Sequence, residues 1–418
     1  MIILEGNIVN NEINFPIDQV RRQFPALKRI YNGKPVVYFD GPGGSQFVSG
    51  AIEAINNYMT GGGANLHGHF PTSRETERLL AEAREDIKTL FNAADCDIAF
   101  GPNATTMMFQ VSRALARQWQ EGDEILLTEL EHHANIDTWR SAAEDKKVTV
   151  KYVPLDPKTL TLDLANISNL ITPKTKLVAV GSASNCIGTI NDIKAFSRPA
   201  QKVGAIVAVD AVHAIPHFYV DMKDLGIDML FSSAYKFFAA HVGMAVIRKD
   251  LFASLKVYKI APAPDYIPDC LETGTQNHEG IPTISAAIRF IAGLGKGNTL
   301  KEQIISGYHA IEEYENHLAG IIRWGLQKID GITLYQAGDN VAKTPTIAFR
   351  AKGISPKDFC IRMCEEHSIF IAEGDFYAKT LAEKLGISSS GSFIRAGLAP
   401  YNTLEEVHRF LEGVAKIS

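Results

Sequence analysis

Residues 205–236 read AIVAVDAVHAIPHFYVDMKDLGIDMLFSSAYK, and this stretch indicates the fold of the whole chain. Its two apolar runs, AIVAV and MLF, have the length of strands. Apolar residues at consecutive positions are typical of strands covered on both faces. Asp210 follows the first run, and Ser233 and Lys236 follow the second. Because ligands bind at the carboxyl ends of strands in open α/β sheets, these polar residues are candidates for a site.

Similar runs flank this stretch on both sides. Between Asp97 and Lys249, short β-rich runs alternate with helical or loop segments, which predicts an α/β fold with a mostly parallel, doubly wound sheet. In chain order the runs are DIAFG, DEILLTE, TVKYVPL, TKLVAVGSAS, AIVAVDAV, DMLFSSA and GMAVIRK. The preceding segment TSRETERLLAEAREDIKTLF has apolar residues at helical spacing and predicts a surface helix.

The sequence pattern changes after Ile281. An apolar helical segment and a glycine-rich break at residues 293–297 precede a long helical stretch that starts at Leu300. Shorter strand and helix patterns then alternate to the last residue. We predict a large domain of residues 17–297 and a small α+β domain formed by residues 1–16 and 298–418.

The composition excludes several classes of protein. Of the 418 residues, 46% are hydrophobic and 21% are charged, which suffices for one large core or two fused cores. The 42 Lys and Arg nearly balance the 47 Asp and Glu, and no basic cluster suited to nucleic acid is visible. No apolar run approaches the roughly 20 residues of a membrane-spanning helix. We expect neither a nucleic-acid nor a membrane partner.

The cysteines and the first residues of the chain indicate the cellular compartment of the protein. The opening MIILEGNIVNNEINF has no cationic region before its short apolar stretch, so we do not expect a signal peptide. The five cysteines are scattered and have no metal-ligand set nearby: Cys96, Cys186, Cys270, Cys360 and Cys364. We predict a reduced, cytoplasmic protein without a metal site.

The segment GPNATTMMF at residues 101–109 is a candidate phosphate site. A strand is predicted to end at Phe100 and a helix to begin near Thr105. The hydroxyls of Thr105 and Thr106 then lie at a helix N-terminus, where unpaired amides and the helix dipole can hold a phosphate. The alternative is that these threonines only cap the helix.

Asp210 and Lys236 are candidates for chemistry. A carboxylate at the end of an apolar strand is costly to bury unless it meets a cation or a donor, although it can also cap a loop or pair with an arginine. Lys236 lies among small and aromatic residues, where desolvation would make it a nucleophile toward carbonyl groups. The alternative is an ordinary solvated lysine. Together with the phosphate turn, these are the parts that a pyridoxal phosphate (PLP) enzyme requires.

Histidines and an arginine complete the candidates. His132 and His133 follow another strand, where an imidazole can stack on a planar cofactor or move protons. They are poorly spaced as a metal pair, because adjacent residues on a strand point to opposite faces. Arg395 ends a short apolar strand, and its fork suits a substrate carboxylate, although a structural ion pair would explain it equally.

A glycine-rich segment, GGGANLHGHF, contains Asn65, His67 and His69. It forms either a mobile wall over a site or an ordinary surface loop. We expect Asn65 and His67 to contribute to substrate binding.

Six motifs carry a resemblance to a known family. YFDGPGGSQ, TELEHHANIDTW, GSASNCIGTIND, VDAVHAIPH, FSSAYKF and ETGTQN occur in this order. The chain resembles the class V aminotransferases of the fold-type I PLP enzymes, and especially their cysteine desulfurase and selenocysteine lyase branch. The resemblance covers nearly the whole chain. It implies the PLP-dependent transferase fold, with a mostly parallel seven-stranded sheet and a small α+β C-terminal domain.

The resemblance also implies roles for the matching residues. Lys236 would hold PLP as a Schiff base, Asp210 would pair with the pyridine nitrogen, and His132 would stack on the ring. Asn185 and His213 would face the phenolic oxygen of the cofactor. Arg395 would bind the α-carboxylate of an amino acid. The expected phosphate ligands are Thr105, Thr106 and Ser233, joined by Thr275 of a neighbouring subunit, which implies a homodimer with a shared active site.

Two departures from the family pattern bear on the reaction. Desulfurases of this branch carry a nucleophilic cysteine on a loop close to the matching arginine, but RAGLAPYNT at residues 395–403 contains none. Tyr235 stands where desulfurases usually have histidine. We therefore expect cleavage of a carbon–sulfur or carbon–selenium bond without an enzyme persulfide. Transamination, epimerisation and a PLP-fold protein that has lost catalysis remain the alternatives, and nothing in the sequence indicates a sulfur-acceptor protein.

Overall fold

The computed structural model describes residues 13–418. The N-terminal segment that was judged not to be a signal peptide lies mostly outside these residues, and so does the predicted 1–16 part of the small domain. Within them the chain forms fourteen α-helices: α1 (Ile17–Arg22), α2 (Ser49–Gly61), α3 (Pro71–Leu90), α4 (Ala104–Ala116), α5 (Ala134–Glu144), α6 (Ile167–Leu170), α7 (Ile193–Val203), α8 (Met222–Leu225), α9 (Lys249–Ser254), α10 (Pro282–Gly293), α11 (Leu300–Gln327), α12 (Pro356–His367), α13 (Lys379–Lys384) and α14 (Leu404–Ile417).

The same residues form seventeen strands, many of them only two residues long. They are β1 (Ile30–Tyr31), β2 (Lys34–Pro35), β3 (Val37–Tyr38), β4 (Cys96–Gly101), β5 (Glu124–Thr128), β6 (Thr149–Val153), β7 (Leu155–Asp156), β8 (Thr161–Leu162), β9 (Thr175–Gly181), β10 (Ile206–Asp210), β11 (Met229–Ser233), β12 (Gly243–Arg248), β13 (Ile332–Tyr335), β14 (Thr346–Ala351), β15 (Ile369–Phe370), β16 (Ala372–Gly374) and β17 (Phe393–Gly397).

A seven-stranded sheet forms the centre of the molecule, in the order β4-β12-β11-β10-β9-β5-β6. Strands β11, β10, β9, β5 and β6 run parallel to one another, whereas β12 is antiparallel to both β11 and β4. All seven strands coincide with the β-rich runs of the sequence. The predicted α/β fold with a mostly parallel sheet is confirmed.

Both faces of this sheet are covered, as the uninterrupted apolar runs predicted. Alternate residues of one strand belong to opposite cores: Val207 and Val209 of β10 pack into one, and Ala208 packs into the other. The first core includes residues of α3, α7 and α10, and the second includes residues of α4, α5 and α9. The carboxyl ends of the parallel strands are therefore left at one edge of a sheet that is otherwise enclosed.

A second sheet of four antiparallel strands follows the long helix α11, in the order β13-β14-β17-β16. The end of its inner strand β17 meets the N-terminal segment, since Asp40 bridges to Gly397. Phe15 stacks on Tyr314 of α11 at 4.2 Å between ring centroids, so residue 15 packs with the C-terminal part. The boundary near residue 297 stays a prediction. Within residues 13–418, no helix is both long and apolar enough to cross a membrane.

Candidate active site

A cavity of about 1010 Å³ opens where the strands of the large sheet end and the four-stranded sheet approaches. Its wall includes residues that follow β4, β5, β9, β10 and β11, together with Arg395 of β17. Nine of the sequence-predicted site residues line it: Thr105, Thr106, His132, Asn185, Asp210, His213, Ser233, Lys236 and Arg395. The fold thus gathers candidates that are spread over 291 positions, from Thr105 to Arg395.

Three predicted residues do not reach this wall. Asn65, His67 and Thr275 are exposed and do not line the cavity. The His67 amide donates to Glu77 Oε1 at 2.6 Å, and the backbone of His67 is left-handed, with a φ of 67°. Their roles in substrate and phosphate binding stay predictions.

The turn that the sequence predicts to bind a phosphate forms at the start of α4. Asn103 caps the helix by accepting a hydrogen bond from the Thr106 amide at 2.9 Å, and Ser233 Oγ accepts from the Ala104 amide at 3.0 Å. Within residues 13–418, the Thr105 amide and hydroxyl have no hydrogen-bond partner. Gly243 permits this geometry, because a Cβ there would lie 2.2 Å from the Asn103 carbonyl carbon. The Thr106 hydroxyl donates to Asn103 Oδ1 at 3.1 Å. A helix N-terminus with the free amide and hydroxyl of Thr105 suits an anion.

Lys236 extends into the cavity from the short 3-10 turn Ala234–Lys236 that follows β11. Its Nζ donates to the carbonyl oxygens of Pro42 and Gly43, which belong to the YFDGPGG motif. Burial, together with the nearby charge of Arg395, lowers the pKa of Lys236 to about 8. About a tenth of the Lys236 amine is therefore neutral at pH 7, far more than for an ordinary lysine, and the neutral form is the one that acts as a nucleophile.

Asp210 is buried at the end of β10, and its Oδ1 accepts a hydrogen bond from the Val212 amide at 2.9 Å. Burial raises its pKa to about 6, against the opposing effects of this hydrogen bond and of Lys236. A buried carboxylate at this position is stabilised by a cationic partner in the cavity.

Glu131 was not singled out by the sequence, although it directly precedes His132 in the EHH motif. Its side chain is buried and lines the cavity. It accepts hydrogen bonds from the Thr128 hydroxyl at 2.6 Å, the Gly181 amide at 2.8 Å and the Asn135 amide at 2.9 Å. Burial raises the pKa of Glu131 to about 8. Glu131 thereby ties the ends of β5 and β9 to the first turn of α5.

His132 is neutral in this site. Its Nδ1 accepts a hydrogen bond from the Ala134 amide at 3.0 Å, which places the proton on Nε2. Burial, with the nearby charge of Lys236, lowers the pKa of His132 to about 4. A neutral, oriented imidazole is suited to stack on a planar ring.

His213 is oriented by residues 131 and 133 positions later in the chain. Its Nε2 lies 3.1 Å from Thr344 Oγ1 and 3.0 Å from Thr346 Oγ1, and burial lowers its pKa. His217 follows four residues later and forms a buried pair with Glu315 of α11, 2.8 Å away. The orientation of His213 therefore depends on β14, which the sequence could not reveal.

Arg395 is held in place from three directions. Its Nη2 donates to Asp40 Oδ1 at 3.2 Å, its Nη1 donates to the Asn185 carbonyl at 3.0 Å, and the Phe376 ring lies 3.7 Å from its guanidinium carbon. Within residues 13–418, its buried Nε has no partner. The guanidinium keeps unused N–H groups on a fixed plane, as bidentate binding of a carboxylate requires.

Phe376 and Tyr377 join the small sheet to the cavity. Both have left-handed backbones, with φ of 54° and 59°. The Asn185 side-chain amide donates to the Phe376 carbonyl at 2.7 Å, and the His133 amide donates to the Tyr377 carbonyl at 2.8 Å. The Asn185 side chain, which was expected at the phenolic oxygen of the cofactor, is here hydrogen-bonded to the backbone of Phe376.

Residues 37–410 match the aminotransferase class-V family. The chain belongs to this family. As a class V aminotransferase-family protein, it is 29% identical to a cysteine desulfurase of Pectobacterium carotovorum subsp. carotovorum (strain PC1), with 97% of this chain and 98% of that protein aligned. It is 31% identical to an aminotransferase-like protein of Gibberella zeae, with 95% and 97% aligned.

A solved structure of similar shape is the apo cysteine desulfurase from Thermococcus onnurineus NA1. It superposes with a TM-score of 0.85 at 26% sequence identity, covering 96% of this chain and 98% of that chain. The PLP-dependent transferase fold predicted from the motifs is therefore confirmed.

Class V proteins of this kind are PLP-dependent enzymes, and the cavity fits that cofactor. The unpaired amide and hydroxyl of Thr105 offer donors to a phosphate, and the buried carboxyl of Asp210 suits a pyridinium. Lys236 presents an amine of lowered pKa for the aldehyde carbon. These residue types are the ones that PLP binding requires.

Proposed function

We propose that this class V enzyme cleaves a carbon–sulfur or carbon–selenium bond of an α-amino acid without an enzyme persulfide. The supporting observation is the cavity wall itself: within residues 13–418, it contains the lysine, aspartate and arginine of the family but no cysteine. Burial raises the pKa of Cys360 to about 12 and raises that of Cys364 as well, so both thiols stay protonated. A protonated thiol is a poor sulfur acceptor.

Each of the cavity residues has a different role in the proposed reaction. PLP, when bound, supplies an electron sink for the charge that develops at the substrate Cα. Arg395 binds the α-carboxylate through its free N–H groups and thereby fixes which Cα substituent faces Lys236. The Lys236 amine, neutral above about pH 8, accepts the α-proton at Nζ. Asp210 would hold the proton of the pyridine nitrogen, and Thr105, Thr106 and Ser233 would hold the phosphate.

Transamination is the second candidate, and the similarity to an aminotransferase-like protein of Gibberella zeae favours it. Epimerisation would use the same proton acceptor with return of the proton on the other face. Loss of catalysis is less well supported, because one cavity contains every residue type that the chemistry requires. A sulfur-acceptor protein is not needed by the reaction proposed here.

We further propose that the enzyme is a cytoplasmic homodimer. Thr275 is exposed and lies off the cavity wall of its own chain, which is the placement expected of a residue that reaches the phosphate of a partner subunit. Sedimentation of the PLP-loaded protein tests the homodimer directly, and a monomer that retains full activity would contradict it.

An assay of the PLP-loaded protein tests the reaction. L-cysteine, L-cystine, L-selenocysteine and amino acids without sulfur would be incubated in parallel, and pyruvate, alanine, sulfide and the cofactor spectrum would be followed together. We expect sulfur or selenium release with pyruvate or alanine as co-product. Conversion to the pyridoxamine form without release of sulfur or selenium would instead identify an aminotransferase.

Cysteine variants test the absence of a persulfide. Neither Cys360 nor Cys364 lines the cavity, so we expect Cys360→Ser and Cys364→Ser to keep kcat within about twofold of the unmodified enzyme. The measurement is turnover on the best substrate of the panel, with melting temperature as the control for folding. A loss of more than about tenfold in a variant that melts normally would show that a thiol takes part.

A further inference from the structure

A chain of buried hydrogen bonds includes Glu131, the residue that precedes His132. The Trp139 indole N–H donates to Asn135 Oδ1 at 2.9 Å, and Asn135 Nδ2 donates to Glu131 Oε2 at 2.9 Å. At the other end, the Gly181 amide donates to Glu131 Oε1 at 2.8 Å. The side chains of Glu131, Asn135 and Trp139 are buried. The chain of bonds therefore joins the end of β9 to helix α5 without contact with solvent.

Both ends of this chain of bonds are groups that only donate. An indole N–H and a backbone N–H cannot accept a hydrogen bond, so one group between them must accept from both sides. The carboxyl group of Glu131 does this. An amide at residue 131 would bring two N–H groups together at Gly181 or at Asn135, and turning the Asn135 amide would only move the conflict to Trp139. Glu131 therefore sets the direction of every bond in the chain.

The end of β9 is adapted to this carboxyl group. A Cβ on Gly181 would lie 2.7 Å from Glu131 Oε2, which is too close unless the carboxyl group leaves its donors. Burying a carboxyl group costs free energy, and the three hydrogen bonds that Glu131 accepts offset that cost. The site thus provides both the space and the donors that a carboxyl group needs.

Two further hydrogen bonds connect Asn135 and its neighbour to His132. The Asn135 amide donates to the His132 carbonyl at 2.8 Å, and the Ala134 amide donates to His132 Nδ1 at 3.0 Å. Asn135 is thus bonded to Glu131 through its side chain and to His132 through its backbone. A displacement of Asn135 would therefore move the turn that orients the imidazole.

We propose that Glu131 is a positioning residue that acts through Asn135 to hold the His132 imidazole in the orientation that binds PLP. The inference rests on the stacking expected of His132 and not on which bond of the substrate is cleaved. It can therefore be tested by cofactor binding alone, whatever the outcome for the proposed carbon–sulfur cleavage.

Moving the carboxyl group along the chain of bonds tests this. Glu131→Gln brings N–H groups together and Asn135→Asp brings two carboxyl groups together, so each should weaken PLP binding about tenfold. The double variant Glu131→Gln/Asn135→Asp again places a donor opposite an acceptor at every bond. Its dissociation constant for PLP should return to within about twofold of that of the unmodified protein.

PLP would be titrated into each apoprotein and followed by visible absorbance, with circular dichroism of the bound cofactor as a measure of its orientation. At about pH 9 the Glu131 carboxyl is ionised, because its pKa is raised to about 8. Glu144→Gln is the matched control, since Glu144 is exposed on the same helix, and it should leave both measurements unchanged. Melting temperatures of the apoproteins would report folding.

The His132→Ala variant separates positioning from a general effect on stability. Alone it should weaken PLP binding about tenfold, and adding Glu131→Gln to it should cause less than a further twofold loss, because the ring that Glu131 positions is then absent. An equal loss from Glu131→Gln with and without His132 would overturn the proposal. So would normal PLP affinity in His132→Ala, or a double variant Glu131→Gln/Asn135→Asp that binds or folds no better than the single variants.

Discussion

Lys236→Ala should abolish the visible absorbance of the lysine-bound cofactor and lower kcat by about 10⁴-fold, a loss at the upper end for removal of a positioned proton-transfer group. The reason is local: Lys236 Nζ is the amine that faces the cavity next to Asp210, and its pKa is lowered to about 8. The measurements are the spectrum of the protein after incubation with PLP and its turnover. We expect the apoprotein to melt within about 4 °C of the unsubstituted apoprotein.

Lys146→Ala is the matched control, because Lys146 is exposed near the end of α5 and does not line the cavity. That variant should keep both the absorbance and the turnover. If Lys236→Ala kept the visible band, the lysine would not be the residue that binds the cofactor.

The pH dependence of cofactor loading follows from the same residue. Only the neutral amine can attack the aldehyde, and the Lys236 pKa is lowered to about 8. The loading rate of the apoprotein should therefore rise about tenfold per pH unit below pH 8 and level off above it. A stopped-flow series would show this, and a midpoint near the ordinary lysine value of about 10.4 would contradict the lowered pKa.

The fold could be predicted because its information is local. Each strand of the large sheet is a short apolar run, and Asp210 and Lys236 follow two of these runs directly. Parallel strands end at one edge, so residues that follow them meet without any knowledge of distant contacts. The same reasoning correctly brought His132 into the cavity.

Apart from Glu131, the features that sequence reasoning missed depend on long-range packing. Asp40 reaches Arg395 across 355 positions, and His213 is oriented by Thr344 and Thr346 through contacts that no local pattern encodes. Phe376 and Tyr377 adopt left-handed backbones that sequence reasoning would assign to glycine or asparagine. Phe376 and Tyr377 could therefore be placed in the cavity wall only from the folded chain.

Asp210→Asn should lower kcat/KM by about 10²–10³-fold while the protein still binds PLP through Lys236 and the turn before α4. Asparagine has nearly the same shape as aspartate and can still accept the hydrogen bond from the Val212 amide, so the end of β10 should keep its structure. The amide carries no negative charge and cannot stabilise a protonated pyridine nitrogen. The charge that develops at the substrate Cα would then be less well stabilised.

Turnover, PLP affinity and melting temperature would be measured together for Asp210→Asn and for Asp145→Asn, an exposed residue at the end of α5. We expect the Asp145 variant to match the unmodified enzyme in all three measurements. Because the bond that we propose between Lys236 and the cofactor does not involve Asp210, the visible absorbance of Asp210→Asn should persist although catalysis is lost. Activity within about threefold of the unmodified enzyme would mean that the buried carboxyl only shapes the end of β10, and the electrostatic role assigned to it would be wrong.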